Sequence, residues 1–452
     1  MKVIKRKKIL SSADYLSLSS PKQMIMHSRR SFFKNSAALS LGAFGTSSLF
    51  NQIHAADFQK AQSYWKNDQT DNEAYWSVIQ DAYSASKSDI IILNNGGVSP
   101  SPISVQVALE KYNIAAAQGP SYYMWRVQDT GREPLRARLA NLAGCDVEEI
   151  AINRNATEAL NTIIYGLPLQ AGDEVIGTLQ DYPNMIQAYK QRQLREGIVY
   201  KQISFEFPIE DDEQIVNAFR NAITPQTKLI HITHIVNWVG QILPAAKIAK
   251  MAHEKGIEVI VDGAHSFGLL DYKIPDLECD YFGTSLHKFL SAPVGSGMMW
   301  IKKEKISKIW PLICNSEPNG ANIRKFESLG TRSFCIEQAI GEAINFHESI
   351  GSARKQERIH FLKKYWAEKA LQIPRVKIHT SLNPTFSCAI AGVSIEGMTP
   401  ADLEQKLLKE YKIHTVAIVW ENISCVRVTP HVYTKLEDLD KLVDALKAIA
   451  AG

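Results

Sequence analysis

The chain is 452 residues long, 45% hydrophobic and 22% charged, with a formal net charge of +4. Those proportions are ordinary for a soluble globular protein and exclude low complexity or long disorder, and the length calls for two domains or one large α/β domain with appendages. The positive charge is local: residues 1–56 hold nine Lys/Arg against one acid, Asp14, and removing that +8 from +4 leaves −4, so no nucleic-acid or membrane-surface role follows from it.

The first residues read as a leader. Ser28-Arg29-Arg30-Ser31-Phe32-Phe33-Lys34 precedes a mildly apolar, Ala/Ser/Gly-rich run ending at Phe50. It resembles a twin-arginine export signal, whose arginine pair is read by a dedicated translocase; the alternative is an amphipathic surface helix with two chance arginines. Ala55-Ala56 offers a cleavage site. The apolar run is too short and too rich in Ser and Gly for stable insertion in a membrane. Translation is expected to start at Met24 or Met26. The expectation is a leader over residues 1–56, export of the folded chain by the twin-arginine translocase, and a periplasmic mature protein. Six cysteines are scattered without a CxxC pair or metal-ligand spacing, so zinc has no support and most should be buried thiols.

Residues 57–100 read as an amino-terminal arm. It has helical spacing around Tyr64, Trp65, Tyr75 and Trp76, a short strand at 90–92, and a turn forced by Asn94-Asn95-Gly96-Gly97 and two prolines. A helix over 104–116 ends at Gly119-Pro120, an aromatic loop carries Tyr122, Tyr123 and Trp125, and a helix follows over 133–143. Strands at 149–153, 173–179, 198–204, 228–234 and 258–262 then alternate with helices at 157–167, 185–197, 211–223 and 245–255. This alternation implies an α/β domain over 101–320 with a mostly parallel sheet covered on both faces, and a ligand beyond the carboxyl ends of its strands. Residues 321–452 read as a smaller α+β domain. Its elements are a helix from 334 to 349 continuing to 369 past Gly351, strands within 377–395, a Thr-Pro-capped helix at 399–410, strands at 413–418 and 424–428, and a last helix at 435–450.

Chemistry concentrates at two strand ends. Val259-Ile260-Val261 runs into Asp262, and the strand at 280–284 leads to Ser285, His287 and Lys288. A lysine can form an imine with an aldehyde cofactor, and an acid can keep that cofactor's ring nitrogen protonated. The pairing suits pyridoxal 5′-phosphate, which acts as an electron sink. Arg154-Asn155-Ala156-Thr157-Glu158 follows a strand and opens a helix, where exposed amides, a hydroxyl and the positive helix end make either a phosphate cradle or a plain Asn or Thr cap.

Asn155-Ala156-Thr157-Glu158, Asn237-x-x-Gly240, Val261-Asp262-Gly263-Ala264-His265, Ser285-x-His287-Lys288, Glu327-x-x-Gly330-Thr331-Arg332 and Arg427-Val428-Thr429-Pro430-His431 occur in this order. The set resembles the class V aminotransferases, fold-type I pyridoxal phosphate enzymes that include cysteine desulfurases and isopenicillin N epimerase. The resemblance runs from about residue 93 to 450. It implies a large domain with a seven-stranded-type sheet and a smaller carboxyl-terminal domain. It further implies that Lys288 binds the cofactor and moves the Cα proton, that Asp262 pairs with the pyridine nitrogen, that His265 meets the ring hydroxyl and that Tyr182 stacks on the ring. Thr157, Ser285 and His287 would hold the phosphate at the Asn155-Ala156 cradle. Thr331 would come from a neighbouring subunit, making a homodimer. Arg427 would clamp the substrate carboxylate, with Asn237 helping and Asn95 in the turn beside the substrate.

Desulfurases need a cysteine on a mobile loop ahead of that arginine. Residues 415–424 have none, and Cys425 sits on a strand without the reach to carry sulfur. The Gly-Thr-Arg run and the Tyr122/Tyr123/Trp125 segment look more like the isopenicillin N epimerase branch, which has exported members. The expected function is an exported enzyme acting at the α-carbon of an amino acid or amino-acid-containing compound. Aminotransferase-like chemistry is the first reading, C–S or other β-lyase chemistry the second and epimerisation the third. A catalytically idle binding protein of the same fold comes behind these, and a hydrolase lacks any GxSxG elbow.

Overall fold

The computed structural model describes residues 71–452; the leader, its arginine pair and cleavage site, and residues 57–70 of the arm lie outside them. Helix α1 (Glu73–Asp81) starts where the Asn72 side chain accepts the Tyr75 amide, and it buries Tyr75, Trp76 and Ile79. Strand β1 (Ile91–Ile92) and helix α2 (Ile103–Ala117) follow. The aromatic segment is helical, where a loop is expected from its sequence. Gly119-Pro120 stops α2, but proline at a first helical position also starts a new turn, and Pro120–Tyr122 leads into a wide turn over Tyr123–Gln128 that seats Trp125 edge-on against Phe334. Helix α3 (Arg132–Ala143) ends at Gly144 in the left-handed conformation.

Alternation then proceeds as β2 (Ile150–Asn153), α4 (Ala156–Gly166), β3 (Glu174–Thr178), α5 (Pro183–Glu196), β4 (Val199–Ile203), α6 (Asp212–Ala222), β5 (Thr227–Thr233), α7 (Ala245–His253), β6 (Glu258–Asp262), β7 (Tyr281–Ser285) and β8 (Gly297–Ile301). These strands form one seven-stranded sheet in the order β2-β8-β7-β6-β5-β3-β4. β4, β3, β5, β6 and β7 pair in parallel, whereas β8 runs antiparallel to both β7 and β2. Residues of β6 point alternately into two cores: Val259 and Val261 join Phe282 and Trp300, while Ile260 joins Leu160, Ile163, Tyr281 and Met299. Burial on both faces is why Val259-Ile260-Val261 of β6 reads as an unbroken apolar run.

The smaller domain contains helices α8 (Phe334–Ile350), α9 (Ser352–Ala370), α10 (Pro400–Tyr411) and α11 (Leu436–Ala451), with strands β9 (Val376–Ile378), β10 (Ala391–Ile395), β11 (Ile413–His414), β12 (Val416–Trp420) and β13 (Ile423–Val428). Its antiparallel sheet, β12-β13-β10-β9, packs on α9, α10 and α11 through Trp366, Val393, Leu403, Val426 and Leu442. α8 leans instead on α2 and α3, and β1 pairs in parallel with β11, so the arm is stitched to the far end of the chain. Glu327 serves the fold itself. Its carboxylate accepts from both amino groups of the fully buried Arg136 (2.6 and 2.9 Å) and from the Ile152 amide (2.7 Å), which fastens its segment to β2. Among the described residues no helix is long and apolar enough to cross a membrane.

Candidate active site

Five strands of the large sheet end on one edge, and each delivers side chains there. Asn155 follows β2, Tyr182 follows β3, Asn237 follows β5, Asp262 ends β6 with His265 beyond it, and Ser285 ends β7 with His287 and Lys288 beyond it. Arg427 enters from β13 of the smaller domain.

The cradle is a helix start locked from two sides. Asn155 caps α4 by accepting the Glu158 amide (2.8 Å), and the Ala156 amide donates to Ser285 Oγ (2.9 Å), which ties the cradle to β7. Gly297 lets β8 come close: a Cβ there would stand 2.6 Å from the Asn155 backbone. Asn155, Thr157 and Asn184 open on a cleft of about 500 Å³ whose other wall includes Leu312, Ile313 and Leu329. His287 Nδ1 donates to the Ser296 carbonyl (3.0 Å), leaving Nε2 as the ring's other polar atom. Gly297→Ala is expected to push the cradle open at an overpacking cost of about 1–3 kcal/mol and to weaken retention of pyridoxal phosphate; dialysis followed by absorbance would check it, and unchanged retention would deny the cradle its role.

Lys288 is half-buried, and its Nζ lies 3.2 Å from His265 Nε2, which is also 2.8 Å from the Gly96 carbonyl. One ring nitrogen cannot donate to a carbonyl and accept from an ammonium at once, so a neutral amine suits this pair. Burial drives the same way: it pulls Lys288 down to about 8, with Arg427 reinforcing it and Asp262 opposing. Burial and the two cations Lys288 and Arg427 also hold His265 well below its ordinary value, so the imidazole is neutral.

Asp262 is 4% exposed and accepts the Ala264 amide at 2.9 Å. Burial raises its pKa against the pull of His231, that amide and Lys288. Among the described residues no ion pair reaches it. The β5–β6 register sets Thr233 opposite Asp262, with His231 two residues earlier on the same face. Thr233 donates to Asp181 (2.8 Å), a fully buried acid pushed up to about 6 by desolvation. His231 Nδ1 lies 3.2 Å from Tyr189 Oη, while its Nε2 has no hydrogen-bond partner. This underlayer of Asp181, Thr233 and His231 is not apparent from the sequence; its one signal is that His231 and Thr233 alternate with Ile230 and Ile232 in the second half of β5.

Arg427 is 6% exposed. Its amino groups donate to the Asn237 carbonyl (2.9 Å) and to Asn94 Oδ1 (2.8 Å), its Nε is buried without a partner, and Asn237 Oδ1 is likewise unpartnered. Burial lowers its pKa to about 10, and among the described residues no carboxylate pairs with it. Gly96 leaves the space beside the guanidinium clear, since a Cβ there would stand 3.4 Å from its carbon. Asn95 needs a correction: it is wholly buried, donates to the Ile92 and Thr429 carbonyls (3.2 and 2.9 Å) and accepts from Tyr433 Oη (2.7 Å), so it braces the turn, and Asn94 is the side chain that meets Arg427. Tyr182 is 39% exposed at the start of α5, and Thr331 is exposed. Cys425 is fully buried in the core beside β10, with its thiol pushed up to about 12.

The constellation therefore holds an acid without an ion-pair partner, a guanidinium lacking an anion, an amine that gives up its proton far more readily than an ordinary lysine and a helix start facing a cleft. The chemistry of these groups fits a phosphorylated, aldehyde-bearing pyridine, which the acid, the amine and the helix start would hold, and a carboxylate, which the guanidinium would hold.

The chain is similar to known proteins. Residues 91–442 match the aminotransferase class-V family. The chain is 26% identical to isopenicillin N epimerase of Streptomyces clavuligerus over 80% of its own length and 95% of that protein, and 25% identical to a probable cysteine desulfurase of Synechocystis sp. over 79% and 90%. It superposes with a TM-score of 0.73, at 23% identity, on the cystine C-S lyase C-DES solved with its product cysteine persulfide, covering 80% of this chain and 98% of that one. That likeness shows the fold, with its large mostly parallel sheet and smaller antiparallel one. With the family matched across both domains, the chain belongs to the class V aminotransferases, fold-type I enzymes whose cofactor is pyridoxal phosphate.

Proposed function

We propose that this enzyme moves a proton at the α-carbon of an amino acid or amino-acid-containing compound, with aminotransferase-like chemistry as the first reading. The observation that carries it is the pair of buried charges without an ion-pair partner, Asp262 and Arg427, near a Lys288 amine that burial draws down to about 8. Bound pyridoxal phosphate supplies an electron sink for the charge that develops when a bond to the α-carbon breaks. Asp262 would hold the proton on its ring nitrogen, and the Asn155–Thr157 turn with Ser285 and His287 would hold its phosphate. Arg427, steadied by Asn94 and Asn237, would fix the substrate carboxylate, and the Lys288 amine would then take the proton from Cα. The relatives named isopenicillin N epimerase favour a second reading, return of that proton to the opposite face. Sulfur mobilisation draws no support from Cys425, a buried neutral thiol.

The test is exchange of the Cα hydrogen in heavy water, followed by mass spectrometry on free amino acids and on peptides ending in one. Arg427→Ala should lower its catalytic efficiency by roughly 100-fold, about what losing a buried charge-paired contact implies. No exchange with any of these compounds would overturn the reading.

Export remains an inference from Ser28–Lys34 and the apolar run behind it. Arg29→Lys with Arg30→Lys should trap the precursor in the cytoplasm; undiminished periplasmic protein would remove the twin-arginine translocase from the account. A homodimer is supported by Thr331, exposed on the surface, and by exposed Trp310, Leu312 and Ile313 beside the cleft. Sedimentation as a monomer would count against it.

A further inference from the structure

Behind Lys288 the fold buries the amine of another lysine. Lys355 of α9 is 2% exposed, and its Nζ donates to the carbonyl of Phe289, the residue after Lys288. The same Nζ lies 3.5 Å from His347 Nδ1, and His347 Nε2 lies 3.0 Å from Ser352 Oγ, so the ring accepts from Lys355 on one side and donates on the other. Gly351, at φ +90°, separates α8 from α9 and turns them so that His347 and Lys355 meet. Among the described residues no carboxylate pairs with Lys355, and burial alone pulls it down to about 7. An uncompensated interior amine is less favourable than a hydrocarbon of the same size, so stability does not account for it.

What Lys355 grips is the turn that aims Lys288. The Ser291 amide donates to the Lys288 carbonyl (3.0 Å), and Ser291 sits at φ +60°, a left-handed conformation that a residue with a side chain holds only when its surroundings enforce it. Tyr83 Oη and His431 Nε2 each stand 3.4 Å from Ser291 Oγ, and the Phe289 ring stacks on His431 at 5.9 Å between centroids. Opposite, the backbone of Leu290 presses on Gly268, where a Cβ would come within 2.9 Å of the Leu290 nitrogen.

We propose that Lys355 is a positioning residue for Lys288: by holding the Phe289 carbonyl it sets the direction in which the Lys288 side chain leaves its turn, and so how readily that amine reaches the cofactor aldehyde. The inference rests on Lys288 being the lysine that binds the cofactor.

The experiment adds pyridoxal phosphate to full-length chain freed of it and follows imine formation by visible absorbance. Lys355→Met should melt at or above the wild-type temperature yet form the imine at least about tenfold more slowly, the penalty of a misdirected reacting group. Wild-type kinetics in folded Lys355→Met would overturn the proposal. Should that variant not fold, Lys355→Gln, a shorter neutral donor, is read in its place: a slowing of at least about threefold supports the proposal and a wild-type rate overturns it. A lasting visible adduct in Lys288→Ala would overturn the lysine assignment and this inference together, whereas wild-type kinetics in the Lys355 variants overturn the inference alone.

Discussion

Lys288→Ala is expected to give a folded chain that releases pyridoxal phosphate on dialysis and shows no visible absorbance from a lysine-linked cofactor. In the proposed function removing it would delete both the covalent anchor and the base, so Cα hydrogen exchange should fall by at least about 1,000-fold, within the range that positioned acid–base groups contribute. The wild-type protein provides a companion measurement. Only the unprotonated amine attacks an aldehyde, and burial pulls Lys288 down to about 8. The rate of cofactor attachment should therefore climb as pH rises toward 8 and level off above it, where an ordinary surface lysine would keep climbing toward 10.5. Borohydride reduction and peptide mapping would locate the attachment; a label on Lys355 would show that the fold uses a different amine.

Asp262→Asn is the second large effect, and it should separate attachment from chemistry. The amide keeps the shape and can still accept the Ala264 amide, but it carries no negative charge to oppose a protonated ring. Losing one partner of a buried, hydrogen-bonded charge pair is worth about 3–5 kcal/mol, which corresponds to roughly 100- to 1,000-fold or more in rate. Cofactor attachment to Lys288 should survive while Cα hydrogen exchange collapses. Exchange at the wild-type rate in Asp262→Asn would mean that the ring nitrogen has another partner.

How much of this could be read from residues alone follows from distance along the chain. Asp262, His265, Ser285 and Lys288 are legible because each closes a short apolar run, and in a parallel sheet the ends of such runs share an edge. The cradle at Asn155 is legible for the same reason. β8 is not: Gly297–Ile301 is a five-residue apolar run whose periodicity gives neither its pairing nor its direction. Asn94 and Asn95 stand next to each other in one turn, and only the pairing of Asn94 with Thr429 decides which side chain faces Arg427 and which is consumed in bracing. The aromatic segment shows a different limit, because the glycine and proline that end one helix also permit a helical restart. Glu327 lies in a family-like motif, yet what engages it is Arg136, from a helix far earlier in the chain.

The contact between Asn94 and Arg427 spans 333 positions. On a ribosome adding about 5–20 residues per second, the large sheet can pair and bury its cores while β13 is still unmade. Closing so long a loop is an entropic cost deferred to the end of synthesis. The carboxylate clamp is consequently a late product of folding, completed only once nearly the whole polypeptide has emerged. A nascent chain could own its lysine, its acid and its phosphate turn and still be unable to hold a substrate.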